Sequence, residues 1–210
     1  MTDIQTPNGI EFSAAAKCYL CGGRLIAPGG GLYFGVRTPQ GTKVDCRSWC
    51  KGLMLVTIEW LDSNGYVQLW PADKKMGLSH VKSLGVRALY SDAPGFSGDF
   101  LRATQWQDVY LVDIFNRLAP YGDAPMVGLL DKVAEEFDRA GIYTKGGYGG
   151  HGDVWNTEWL TYLEEAWYAE AYDIWQRAWA RPDQEPILQS LMYAVAANVE
   201  QERDHDRFDF

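Results

Sequence analysis

Four cysteines, all within the first fifty residues, fall into two close pairs: Cys18 with Cys21, and Cys46 with Cys50. Two residues separate the first pair, three the second, and twenty-four lie between the pairs. At such spacing a single turn aims two sulfurs at one point, and Gly22-Gly23 frees the backbone where amides turn towards sulfur. The spacing predicts one structural zinc ion per chain on Cys18, Cys21, Cys46 and Cys50. Four thiolates fill a tetrahedral shell and leave no position for water or substrate, so such a site is structural and not catalytic. Two disulfides, four reduced thiols in the core and an iron–sulfur cluster are the competing uses of the same residues.

Ligands in this arrangement need an element that returns the chain to its starting end. The stretch 17–71 reads as β structure, with short apolar runs between the turn signals Pro28-Gly29-Gly30-Gly31, Thr38-Pro39-Gln40-Gly41 and Asp62-Ser63-Asn64-Gly65. Leu53–Trp60, the Asn64-Gly65 turn and Tyr66–Trp70 together predict a β-hairpin. Over residues 17–60 the arrangement resembles a zinc ribbon, an architecture shared by many functions, so the resemblance implies a fold and no activity. The second pair departs from ribbon spacing by one residue, which also suits a helical turn.

Period alone leaves 72–120 undecided between strand and helix at Val81–Tyr90, and suggests a helix near Asp108–Leu118. Beyond it the pattern turns helical. Met126, Leu130, Val133, Phe137 and Ala140 form one stripe, with Asp123 placed to cap its start and Gly141 to end it. A glycine-rich connection follows, then a helix from about Val154 to Ala180, stopped by Arg181-Pro182, and another from about Pro186 to Arg203. The predicted class is α+β: a zinc-ribbon-like β module over 1–75, a mixed region over 76–122, and an acidic helical hairpin or small bundle over 123–210.

The formal net charge is −9 and is unevenly spread. Residues 1–120 carry twelve Lys/Arg against ten Asp/Glu, and residues 121–210 carry seven against eighteen, so the halves are +2 and −11. A field of this sign repels phosphate, which leaves direct nucleic-acid binding to a ribbon face with Lys17, Arg24, Lys43, Arg47 and Lys51 beside Tyr19, Tyr33, Phe34 and Trp49. The simpler use of those cations is to offset thiolate charge. The polar opening lacks a signal peptide's basic flank and apolar stretch, and no apolar run approaches the eighteen or so residues of a membrane span. Both point to a cytoplasmic protein.

Acid–base chemistry has little to draw on. The three histidines, His80, His151 and His205, sit in no catalytic motif. His151 with Asp153, and Asp204 with His205 and Asp206, are isolated metal-capable groups. No phosphate loop, Gly-x-Ser-x-Gly elbow or His-Glu-x-x-His occurs.

The aromatic content of 154–180 is the stronger functional signal. Leu160, Leu163, Trp167, Ala171, Ile174 and Ala178 make one buried stripe, whereas Trp155, Trp159, Tyr162, Trp175 and Trp179 lie largely off it among acidic residues. Either two faces of this helix are packed, or the surplus forms a partner-binding surface of Trp155, Trp159, Glu164, Glu165, Trp175 and Trp179. The second alternative gives the functional expectation: a non-enzymatic protein whose acidic face engages a basic protein partner, as small viral inhibitors of nucleic-acid-handling proteins do. A nucleic-acid-binding zinc ribbon, a viral structural or assembly subunit and an enzyme with an unrecognised site are the alternatives.

Overall fold

An apolar run such as Leu53–Ile58 suits a strand or a helix buried on every side equally well. In the computed structural model it is a helix, α3 (Cys46–Ser63), with Leu53, Met54, Leu55, Val56 and Ile58 all fully buried. The structure describes residues 6, 9–26, 35–76, 79–105, 107–119, 124–144 and 154–208, with side chains omitted at 76, 79 and 200–208. The hairpin expected at 53–70 is therefore corrected. Asn64-Gly65 closes α3 and does not reverse a strand: Gly65 takes φ +72°, its N–H donates to the Asp62 carbonyl and the Tyr66 N–H to that of Leu61. This is a Schellman cap, which like a hairpin turn calls for positive φ, but at Gly65 alone, with Asn64 at φ −96°.

The zinc-ribbon-like module is corrected with it. Helices α1 (Ala14–Leu20) and α2 (Gly22–Leu25) precede the only β structure described before α3, the short hairpin β1 (Gly35–Arg37) and β2 (Lys43–Asp45) around the Thr38–Gly41 turn. Burial decides this outcome. α3 packs against α1 and, further along the chain, the helices of 125–139 and 157–179, so an uninterrupted apolar surface is what its position requires.

After α3 the chain forms two ten-residue antiparallel strands, β3 (Val67–Met76) and β4 (Ser79–Ala88), and β4 also pairs with β5 (Val109–Tyr110). Pro71 lies mid-strand in β3, which is an edge of the sheet and so tolerates the missing N–H. The helices α4 (Gly95–Ala103) and α5 (Leu111–Leu118) flank β5. Next come α6 (Pro125–Arg139), the two-residue pair β6 (Tyr143–Thr144) and β7 (Val154–Trp155), then α7 (Thr157–Trp179) and α8 (Gln184–Phe208). The expected helices of the carboxyl-terminal part are present. Gly141, at φ +71°, ends α6 in a second Schellman cap, and Pro125 opens it; Asp123, expected to cap it, lies outside the described residues. The class is α+β. Among the described residues no helix is long and apolar enough to cross a membrane.

Buried side chains from Phe12 to Ala194 form one cluster, and a single carboxylate ties its amino-terminal part together. Glu136 of α6, 2% exposed, accepts from Ser13 N–H (2.9 Å), the Ser13 hydroxyl (2.6 Å) and Phe96 N–H (2.7 Å). Ser13 is the N-cap of α1 and Phe96 belongs to the first turn of α4, so one anion satisfies two helix N-termini at their positive ends. Gly95 adopts φ +51°, and a Cβ there would occupy the place of the carboxylate. At the other end, Arg181 after α7 holds Glu59 (2.9 Å) and Asp62 (2.9 Å) of α3 together with its neighbour Asp183 (2.8 Å).

Removing the Glu136 side chain orphans three donors, two of them backbone N–H groups, so Glu136→Ala should cost about 3 kcal/mol or more. Gly95→Ala should destabilise through the same contact. Burial pushes the Glu136 carboxyl up from its ordinary value, against the opposing effect of its three donors. Its contribution is therefore full below the unfolded pKa and declines as pH rises through the folded one. Denaturant unfolding of wild type and Glu136→Gln at pH 5 and pH 8 should show the wild type's advantage shrinking at the higher pH. An advantage that grows with pH would reverse the assignment.

Candidate functional site

The cysteines sit on two adjacent helices. Cys18 lies in α1 and Cys21 caps its end; Cys46 opens α3 and Cys50 follows one turn later. All four are buried and free. The sulfurs of the first pair face the backbone of α7: Cys18 Sγ donates to the Ala171 carbonyl (3.5 Å) and Cys21 Sγ to that of Glu164 (3.8 Å). Desolvation pushes every one of these thiols up, Cys46 to about 11 and Cys21 to about 12, with Glu164 adding to the effect at Cys21. Among the described residues no group of three or more Cys, His, Asp or Glu side chains is gathered to hold a metal ion.

The cations near the first pair have other partners. Lys17 bonds Glu170 (2.7 Å), and Arg24 bonds Glu165 (3.1 Å) while lying 3.5 Å from the Tyr168 ring centroid. Tyr19 and Trp49, expected as stacking surfaces for bases, stack on each other at 4.5 Å inside the core. Tyr33 and Phe34 lie outside the described residues, as do His151 and Asp153; the side chains of Asp204, His205 and Asp206 are likewise not described. His80 is exposed on β4.

The aromatic residues of β7 and α7 divide into two groups. Trp175 is 6% exposed and rests on Gly52 of α3, where a Cβ would collide with its ring. Trp155 is half-buried among Tyr143 (4.3 Å) and Phe137 (5.6 Å). Trp159 and Trp179 are half-buried as well, and Glu164 is half-buried with its carboxyl pushed up by desolvation. Glu165 is exposed. Those four tryptophans thus pack largely inward, and the open aromatics of α7 are Tyr162 at 48% and Tyr172 at 49% exposure. At 3.6 residues per turn, Glu158, Tyr162, Glu165, Tyr172 and Asp173 fall within an arc of about 100°.

No family model and no curated protein matches the chain. The signal of the α7 surface in the sequence is the spacing of Tyr162, Glu165 and Tyr172; the tryptophans beside them are of larger area but pack largely inward.

With burial opposing ionisation, the four thiols should be unreactive towards Ellman's reagent in the native protein and should all appear on denaturation. Elemental analysis of protein purified without added metal distinguishes packing from ligation. About one zinc per chain would give the four cysteines to a metal centre, and metal-free protein with four thiols released only by denaturant would give them to the core.

Proposed function

We propose that the protein acts by non-enzymatic association with another macromolecule through the solvent face of α7. The observation that carries this reading is the pair Tyr162 and Tyr172, each about half exposed on one arc with Glu158, Glu165 and Asp173. Tyrosine supplies large amphipathic contact area, and a charged rim sets orientation. The net −11 of residues 121–210 selects a basic surface on the partner and speeds encounter with it. A nucleic-acid-handling protein carries such a surface, and engagement of one in the manner of a viral inhibitor is the form of this proposal that rests on charge and analogy alone.

The test begins with a partner captured from native lysate and then purified. Tyr162→Ser/Tyr172→Ser should weaken its binding by about tenfold or more. The same variant should unfold within about 1 kcal/mol of wild type, since both side chains are half exposed. Glu158→Lys/Glu165→Lys should lower the association rate and flatten its dependence on salt. Unchanged binding in both variants would exclude this face.

A further inference from the structure

The exposed side of α7 already holds a cation from the chain itself. Arg24 of α2 lies 3.5 Å from the centroid of the Tyr168 ring and 3.1 Å from the Glu165 carboxylate, so one guanidinium takes a ring and a carboxylate three residues apart on α7. Stacking on a ring leaves the in-plane N–H groups of a guanidinium free to donate to the carboxylate, whereas an ammonium is a strongly hydrated point charge with no flat face. A lysine offered a ring and a carboxylate elsewhere in the protein approaches the ring less closely: Lys74 pairs with Asp113 and stands 5.4 Å from the Tyr110 ring centroid. At the other end of the α7 face the cation is again an arginine, Arg177, paired with Asp173.

The same combination recurs about two turns nearer the start of α7. Glu158 and Tyr162 stand at i and i+4, and Glu165 follows Tyr162 by three residues, so a ring 48% exposed lies between two exposed carboxylates on one side of the helix. Among the described residues no basic side chain pairs with Glu158. Trp159 braces the Tyr162 ring at 5.8 Å and 77°. An anionic ligand is repelled by these carboxylates and by the net −11 of residues 121–210, and a purely apolar one would strip water from Glu158 and Glu165 without replacing its hydrogen bonds. A lysine answers the charge but not the ring. We propose that the partner presents an arginine to this unit, its guanidinium stacked on Tyr162 and hydrogen-bonded to Glu158, and that Arg24 is an internal competitor holding the neighbouring unit of Glu165 and Tyr168. The proposal rests on the reading of α7 as the partner-binding face and assigns the side chain which that face selects.

Two capped peptides of equal charge serve as probes, tetra(glycyl-arginine) and tetra(glycyl-lysine). Each is titrated into the full-length ¹⁵N-labelled protein at about 0.15 M salt, where long-range attraction is screened, while the amides of Glu158, Tyr162 and Glu165 are followed by NMR. The arginine peptide should shift these amides saturably with a dissociation constant of about 1 mM or tighter, and the lysine peptide should bind about threefold or more weakly. Tyr162→Ser should bring the arginine peptide down to the lysine level, and Tyr162→Phe, which keeps the ring, should preserve the preference. Arg24→Gln, which empties the neighbouring unit, should tighten the arginine peptide about two- to fivefold. Equal affinity of the two peptides with shifts on α7 would overturn the arginine assignment and leave α7 as a face selected by charge alone. A preference that survives Tyr162→Ser would overturn the seat on Tyr162, and an unchanged affinity in Arg24→Gln would overturn the competition. Shifts elsewhere or none would overturn the whole proposal, and the kinetics of the captured partner with Glu158→Lys/Glu165→Lys would then judge the α7 face separately.

Discussion

The carboxylate of Glu136 is the contact on which the amino-terminal half of the fold depends. Its three donors come from Ser13 and Phe96, far apart in sequence, and both mark helix starts. A helix start buried without partners leaves unpaired N–H groups in a medium that cannot hydrate them. One buried anion satisfies donors at two starts and thereby fixes α1 and α4 against α6. The Ser13 hydroxyl also accepts from Ala16 N–H (3.1 Å), so the cap of α1 and the contact to α6 share one side chain. The α1 that results carries Cys18 and, at its end, Cys21 into contact with α7.

The second constraint is the close approach of α3 and α7. Gly52 on α3 admits the ring of Trp175, while Arg177 and Arg181 reach Glu59 from the end of α7. Arg181 is half-buried among several carboxylates, a geometry in which its planar fork satisfies more than one partner at once. The aromatic surplus of α7 is largely used on this side, while Trp155 of β7 packs against Tyr143 and Phe137, which leaves the outer arc of α7 to Tyr162 and Tyr172.

Charge asymmetry between the halves serves the fold as well as any partner. Lys17 and Arg24 from the less acidic half meet Glu170 and Glu165 from the more acidic one. These pairs are at least partly exposed and individually contribute little, about 0–1 kcal/mol each. Their effect is to fix orientation: they line α1 and α2 along α7 and draw part of the negative charge of that helix inward. The outer arc of α7 interleaves Tyr162 and Tyr172 with Glu158, Glu165 and Asp173.

The sequence by itself determined the α+β class, the helices of the carboxyl-terminal part, the Arg181-Pro182 break and the buried stripe Leu160, Leu163, Trp167, Ala171, Ile174 and Ala178. These features are local: a helix packed along a stripe prints its period, and proline and glycine print its ends. Tertiary structure alone decided the rest. Leu53–Ile58 is apolar on every side because α3 is central, so its period is erased and strand and helix look alike. A positive φ at Gly65 suits a hairpin turn and a Schellman cap alike, and only the element before it tells them apart. The spacing of the cysteines described two turns, whereas their surroundings, two buried helices facing other helices, depended on partners more than a hundred residues away. The contacts of Glu136 and the seat of Arg24 on Tyr168 were invisible for the same reason: each is defined by groups that only the folded chain brings side by side.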